Sequence, residues 1–265
     1  MHRSLALPLC FSLALLAFAQ MPTTDEATWE AFRQWIEARA PDSKPSDLIN
    51  SYRAKLIRDG ATASEADHQM NLIWKFLWGR PEGVKLFWNK VYTARKSIFT
   101  ERPNALLVDA VEGRKPDKAL DVGMGQGRNS VFLALRGWDA TGFDPSDEGI
   151  RIAQANAQKA GVKIRAVVAT DNEFNFGHAQ WDLVVITYVR TLGSSDADRL
   201  LRSLKPGGIV VYENVASGQG NETLKAFLRF RILRFEDVDA VPDWNPEQSE
   251  QKARIQRLVA QKIAP

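Results

Sequence analysis

The chain has 265 residues, 45% of them hydrophobic and 25% charged, with a net charge of +3. That length suits one large domain or a domain with an appendage, and the composition is ordinary for a soluble globular protein. Acids and bases are interleaved, and so small a net charge gives no support to nucleic acid as a partner.

The first twenty residues stand apart. His2 and Arg3 precede an apolar run from Leu5 to Phe18, and Ala17-Phe18-Ala19 puts small residues at the two positions a signal peptidase reads. This is the layout of a secretory signal peptide. The run is too short for a transmembrane helix, which takes about 20 residues. Residues 1–20 are therefore expected to be a leader that sends the mature chain to the periplasm or the exterior, without stable membrane insertion after cleavage. The alternative is a cytoplasmic protein that starts at Met21. The single cysteine, Cys10, lies in that leader, so the mature chain is expected to lack disulfides and thiolate chemistry. His68 and His178 are far apart, and no metal centre is expected.

Residues 21–80 read as a helical region, a cap or interaction module. Thr24-Asp25 can start a helix that carries Trp29, Phe32, Trp35 and Ile36. Pro41 and Pro45 interrupt it, and Ser46-Asp47 opens a second helix with Leu48, Ile49, Tyr52 and Leu56, closed by Gly60. A third starts at Thr62 or Ser64 and runs through Met70, Ile73, Trp74 and Leu77 to Gly79.

Residues 81–265 form the second region. A helix with Leu86, Phe87, Val91 and Tyr92 ends before Pro103. After Pro116, short β-rich runs alternate with helical stretches, the pattern of a parallel sheet covered on both faces. Strands are expected at Ala119–Val122, Asp139–Phe143, Val162–Ala169, Asp182–Thr187 and Ile209–Asn214. Helices are expected at Asn129–Arg136, Ser146–Ala160, Asp196–Ser203 and Glu222–Arg231, with a turn at Lys205-Pro206-Gly207-Gly208. The tail from Arg254 to Lys262 reads as a helix or as a last strand.

The stretch Ala119-Leu120-Asp121-Val122-Gly123-Met124-Gly125-Gln126-Gly127-Arg128-Asn129 carries the most chemistry. A buried strand ends in an acid, runs into three alternate glycines and continues as a helix. Glycine serves where a backbone turns tightly and a ligand approaches without interference from Cβ, and the next helix offers unpaired N–H groups. A dinucleotide-binding turn needs a sixth-position glycine; here that position is Arg128. Further on, Asp144 ends the second strand, where a carboxylate can accept hydrogen bonds from two ribose hydroxyls.

These motifs together resemble class I, Rossmann-like S-adenosylmethionine-dependent methyltransferases, most closely the small-molecule enzymes of the tellurite-resistance and thiopurine types. Met124 departs from the cysteine or alanine of many relatives. The resemblance covers roughly residues 85–262. It implies an α/β fold with a seven-stranded, mostly parallel sheet whose last strand, Arg254–Gln261, is antiparallel. It also implies S-adenosyl-L-methionine as cofactor, a small-molecule acceptor, and direct in-line methyl transfer without an obligatory catalytic residue. The cofactor would lie on Asp121, Gly123, Gly125, Gly127 and Asn129 at the first turn and on Asp144, Pro145 and Ser146 at the second. Asp171, Asn172 and Glu173 would border adenine, with Thr187 at the end of the fourth strand. Trp88 and Tyr92, spaced one helical turn apart, either fold over the cofactor or pack in the core. Tyr188 and Arg190 follow the fourth strand, where the family puts acceptor-binding or catalytic groups. Tyr188, Asp182 or a residue from the helical lid are candidate bases. The scarcity of histidine and thiol suits an acceptor that arrives already ionised, such as a thiolate or chalcogen anion. Two other functions fit the pattern: a non-catalytic protein that binds S-adenosylmethionine or S-adenosylhomocysteine, and an aminopropyl transferase. The second is disfavoured, since Thr187-Tyr188-Val189-Arg190-Thr191 carries no acid.

Overall fold

The structure, a computed structural model, describes residues 24–39, 45–93, 99–216, 221–244 and 251–263. The leader expected at residues 1–20 lies outside the described residues. The chain divides into two compact units, and the division falls between Phe76 and Leu77.

The first unit holds α1 (Asp25–Glu37), α2 (Pro45–Arg58) and α3 (Ala63–Gly79) as far as Phe76. Thr24 caps α1, its hydroxyl accepting from the Ala27 amide at 3.1 Å. Thr62 and Glu65 make a reciprocal box at the start of α3, which satisfies two amides that would otherwise lack partners. Apolar residues at helical spacing converge on one core: Phe32 meets Tyr52 edge-on at 5.1 Å, and Trp29 meets Phe76 at 6.0 Å. Ile36, Ile49 and Ile73 are fully buried.

The second unit begins with α4 (Pro81–Tyr92) and α5 (Ala105–Val111) and continues as β1 (Lys118–Val122), α6 (Arg128–Leu135), β2 (Asp139–Asp144), α7 (Asp147–Lys159), β3 (Arg165–Val168), β4 (Trp181–Thr187) and α8 (Ser194–Ser203). It ends with β5 (Leu204–Val215), α9 (Glu222–Ala226), β6 (Arg231–Ala240) and β7 (Ala253–Gln261). Among the described residues the strands make one seven-stranded sheet in the order β3-β2-β1-β4-β5-β7-β6. β7 is antiparallel to both neighbours, and the pairs from β3 to β5 are parallel. Alternation along the strands fills both faces. Leu120, Val122, Val184 and Ile186 pack with Leu200 of α8 on one face. Ala119, Leu183 and Val185 pack with Leu107 of α5 and Leu133 of α6 on the other.

Two expectations are corrected. The helix expected over Glu222–Arg231 stops at Ala226, and Arg231 opens β6. Leu233 is an extra residue there: Ile232 pairs with Ala260 and Arg234 with Val259, and such a bulge erases the two-residue period that reveals a strand. The tail is the antiparallel last strand, β7, that the resemblance implies. The Lys205–Gly208 turn lies within β5, where the register jumps from Trp181↔Leu204 to Leu183↔Ile209. A short helix, α5, also appears where none was expected. Residues 169–180 hold no helix between β3 and β4; Phe174 and Phe176 instead pack their rings on Phe143 at 4.3 and 5.7 Å.

Arg257 on β7 lies opposite both Glu213 on β5 and Glu236 on β6. It bonds to Glu213 at 2.6 Å and to Glu236 at 3.2 Å, and the Glu213 side chain is only 2% exposed. Removing one partner of a buried pair leaves a charge uncompensated. Arg257→Ala is therefore expected to cost about 3–5 kcal/mol in denaturant unfolding; a loss below about 1 kcal/mol would put the pair in the solvent-screened class.

Candidate functional site

Between β1 and α6 the backbone turns through Gly123, Gly125 and Gly127 with φ of +64°, +52° and +80°. Side chains other than glycine seldom occupy this left-handed region. The turn is tied to β2 by the Met124 amide, which donates to the Phe143 carbonyl at 2.9 Å. The Gly125 amide donates to Asp144 Oδ2 at 3.0 Å, and the Ser146 amide donates to Oδ1 at 2.9 Å. Burial pushes the Asp144 carboxyl up to about 6, against the pull of those two amides. Each of its oxygens keeps a further acceptor site. Asp121 lies beneath the turn and accepts from Ser130 Oγ at 2.7 Å; burial pushes it to about 6 as well. Both carboxyls therefore contribute stability that is complete below the unfolded value near 4 and is lost as pH rises through about 6.

Ser146 caps α7, its hydroxyl accepting from the Gly149 amide at 2.9 Å and donating to Asn89 Oδ1 at 2.6 Å. Asn89 also donates to Asp147 at 2.6 Å. These bonds clamp α4 onto the start of α7. The clamp sets Tyr92 above the glycine turn, where a Cβ built on Gly125 would overlap the phenol oxygen and one on Gly149 would lie 3.0 Å from the ring. Burial, and then the adjacent Asp144, raise the Tyr92 phenol well above its ordinary value. Trp88 lies one turn back, its ring 6.2 Å from that of Tyr92.

The residues after β3 have protein partners. Asp171 pairs with Arg190 at 2.7 Å, and Glu173 accepts from the Thr170 amide and hydroxyl. Asn172 is exposed, and Pro145 borders a cleft of about 840 Å³ shared with Lys85, Thr170 and Glu173. Arg190 also grips Asp196 through two nitrogens at 2.8 and 2.7 Å, so it is a strut between loops. Asn129 and Thr187 bond to each other at 3.0 Å and join α6 to the end of β4. Asp182 is corrected as a candidate base. It lies at the start of β4, bonded to Lys205 at 2.6 Å, at the opposite end of the strand from the turn.

Tyr188 lies just past β4 with φ +58°. Its amide donates to the Glu213 carbonyl at 2.8 Å and its hydroxyl to Glu213 Oε1 at 2.5 Å. Burial, then the Glu213 and Asp243 carboxylates, push the phenol far above its ordinary value, so it holds its proton as a donor. Asn104 donates to both Glu213 and Asp243, at 2.8 and 3.0 Å, and Arg128 pairs with Asp243 at 2.9 Å. Sequence reasoning missed Asn89, Asn104, Glu213 and Asp243. Only Glu213 left a signal, a charge in the apolar run Ile209-Val210-Val211-Tyr212-Glu213.

Residues 119–208 match the family described as methyltransferase domain. Over 103 residues the chain is 31% identical to the probable S-adenosyl-L-methionine-dependent methyltransferase TehB of Haemophilus influenzae, covering 37% of this chain and 36% of that protein. It is 31% identical over 114 residues to the ubiquinone biosynthesis O-methyltransferase of Azorhizobium caulinodans, covering 42% and 43%. The chain thus spans less than half the length of these curated relatives. The crystal structure of H. influenzae TehB superimposes with a TM-score of 0.51 at 21% identity, over 60% of this chain and 62% of that one, a likeness of fold.

The overlap above Gly125 has a measurable consequence. Gly125→Ala is expected to destabilise the fold through left-handed strain of about 1–2 kcal/mol and through collision with Tyr92. Adding Tyr92→Ala removes the collision but not the strain. Unfolding free energies of the two single variants and the double variant should therefore be non-additive, with a coupling on the order of 0.5–3 kcal/mol. Strict additivity would mean that Tyr92 lies elsewhere.

Proposed function

We propose that residues 119–208, which match a methyltransferase domain, belong to a class I S-adenosylmethionine-dependent methyltransferase, and that the chain transfers the methyl group of that cofactor to a small-molecule acceptor. The observation that carries this reading is the left-handed glycine turn set against the buried Asp144 carboxylate. The residues present fit the cofactor: the left-handed turn carries no side chain at Gly123, Gly125 or Gly127, and Asp144 has acceptor capacity left for ribose hydroxyls. Gly123, Gly125 and Gly127, with Asp121 and Asn129 bracing them, would hold its amino-acid part. Pro145, Ser146, Asp171, Asn172 and Glu173 would border adenine, and Thr187 the sulfur side. Trp88 and Tyr92 would cover it, once the Tyr92 phenol leaves the space above Gly125.

When bound, S-adenosylmethionine would supply a methyl group activated by its sulfonium, for transfer to a lone pair of the acceptor with release of the neutral thioether. The chain's own residues align the partners and exclude water, and such positioning supplies much of a rate enhancement. Tyr188 donates to Glu213 and so orients without taking a proton; the acceptor's proton goes to solvent. The name of the ubiquinone O-methyltransferase relative and the low net charge favour a small acceptor over a nucleic acid. Asp196 is engaged by Arg190 and Arg199, which argues against an aminopropyl acceptor.

Residues 21–80 would serve as a helical cap or interaction module. Among the described residues no helix is long and apolar enough to cross a membrane. The leader layout supports export, with cleavage after Ala19. Mass spectrometry of native protein is expected to find Gln20 at the N-terminus; a chain that begins at Met21 in a cytosolic fraction would refute this.

Calorimetry with S-adenosylhomocysteine tests the site. Asp144→Ala is expected to weaken binding tenfold or more, since a charged hydrogen bond is worth about 1.5–3 kcal/mol. In the unaltered chain affinity should rise as pH passes upward through about 6 and Asp144 ionises, and Asp144→Asn should flatten that rise. Equal affinities would remove Asp144 from the site. Transfer of a labelled methyl group to an acceptor separates an enzyme from a protein that only binds the cofactor.

A further inference from the structure

In open α/β sheets a ligand takes the crevice outside the C-terminal ends of the strands where the strand order reverses. Here the order runs from β1 outward to β2 and β3 on one side and to β4 and β5 on the other, so the crevice opens beyond β1 and β4. Tyr188 stands at its β4 side. A tyrosine with φ of +58° is an outlier that persists only where its surroundings hold it. The two bonds to Glu213 do so.

From Tyr188 an unbroken line of rings crosses the crevice. The Trp244 ring is 6.4 Å from that of Tyr188, Phe99 is 5.6 Å from Trp244, and Tyr92, above the glycine turn, is 5.2 Å from Phe99. All four keep part of their surface in solvent. Hydrogen bonds tie Phe99 and Trp244 to the turn and to α5 through the residues next to them. The Thr100 amide donates to the Trp244 carbonyl at 3.1 Å, and Gln126 of the turn donates to the Thr100 carbonyl at 2.8 Å. Asp243, next to Trp244, takes hydrogen bonds from Asn104, the Ala105 amide and Arg128.

The carboxylates beside Tyr188 and Trp244 are paired. Asp243 is paired with Arg128 and Glu213 with Arg257. An ionic acceptor would shed hydration against these pairs without gaining a counter-charge, while a flat ring gains stacking and apolar burial.

We infer that the acceptor is a flat, uncharged ring compound stacked on the exposed parts of Tyr188, Trp244 and Phe99, and that Trp244 sets the preference for it. This rests on the methyltransferase reading and replaces the ionised chalcogen acceptor that the sparse histidine and thiol content suggests.

Direct binding tests it on the full chain. Naphthol is titrated by calorimetry, and S-adenosylhomocysteine affinity is measured separately on the same proteins. Naphthol should bind, and Trp244→Ala should weaken it roughly tenfold, the scale of one well-packed aromatic contact, with S-adenosylhomocysteine affinity unchanged. Trp244→Leu, which keeps apolar bulk without a ring, should lose as much, and Trp244→Phe should keep most of the affinity. Selenite and tellurite should give no heat of binding. Binding of either oxyanion, or naphthol affinity indifferent to Trp244→Ala and Trp244→Leu, would overturn the ring site. A chain that binds S-adenosylhomocysteine but not naphthol overturns the ring site alone. A chain that binds naphthol through Trp244 but not S-adenosylhomocysteine overturns the methyltransferase reading and leaves the ring site standing.

Discussion

The Gly125 amide and the Asp144 carboxylate meet across the ends of β1 and β2, and the rest of the site is arranged around that meeting. Parallel strands bring their C-terminal ends to one edge of the sheet, so the turn after β1 and the acid after β2 become neighbours without any long loop. The amide reaches the carboxylate only because the turn runs through left-handed backbone. Met124, between two of the glycines, packs its side chain down against Gly142, where a Cβ would lie 2.5 Å from its sulfur. The motif thus sets both the ligand side of the turn and the fit of its underside on β2.

Among the described residues of this unit, three buried acids are handled in two ways. Glu213 has a cationic partner in Arg257, and the pair forms part of the sheet. Asp121 and Asp144 have a hydroxyl or backbone amides instead, and burial raises both. An arginine on Asp144 would occupy the lone pairs that neutral hydroxyls could use. A carboxylate held only by amides stays available, at a cost in stability above about pH 6.

The cover over the turn is joined to the start of α7 by polar contacts. Ser146 caps α7 and in the same geometry holds Asn89 of α4, so the helix that bears Trp88 and Tyr92 is located by the residue next to the candidate ribose site. On the other flank, the stretch from β3 to β4 has no helix and packs Phe174 and Phe176 on Phe143. That leaves the cleft beside Pro145 and Thr170 open at the sheet edge.

The sequence by itself determined the elements whose signals are local. The glycine turn, Asp121, Asp144 and the central strands were legible because left-handed backbone demands glycine and because strands buried on both faces read as apolar runs. The caps at Thr24, Thr62 and Ser146 were legible for the same local reason. Only the tertiary structure decided what lies across from what. β6 was hidden because a bulge at Leu233 broke its period. The roles of Asp171 and Arg190 were hidden because each takes its partner from another loop. The network of Asn104, Tyr188, Glu213 and Asp243 draws on four separate segments of the chain. The ring line from Tyr92 through Phe99 and Trp244 to Tyr188 likewise has no common period. Periodicity and turn chemistry report neighbours within a few residues, whereas hydrogen bonds and ring contacts between distant segments exist only after the sheet has brought its strand ends to one edge.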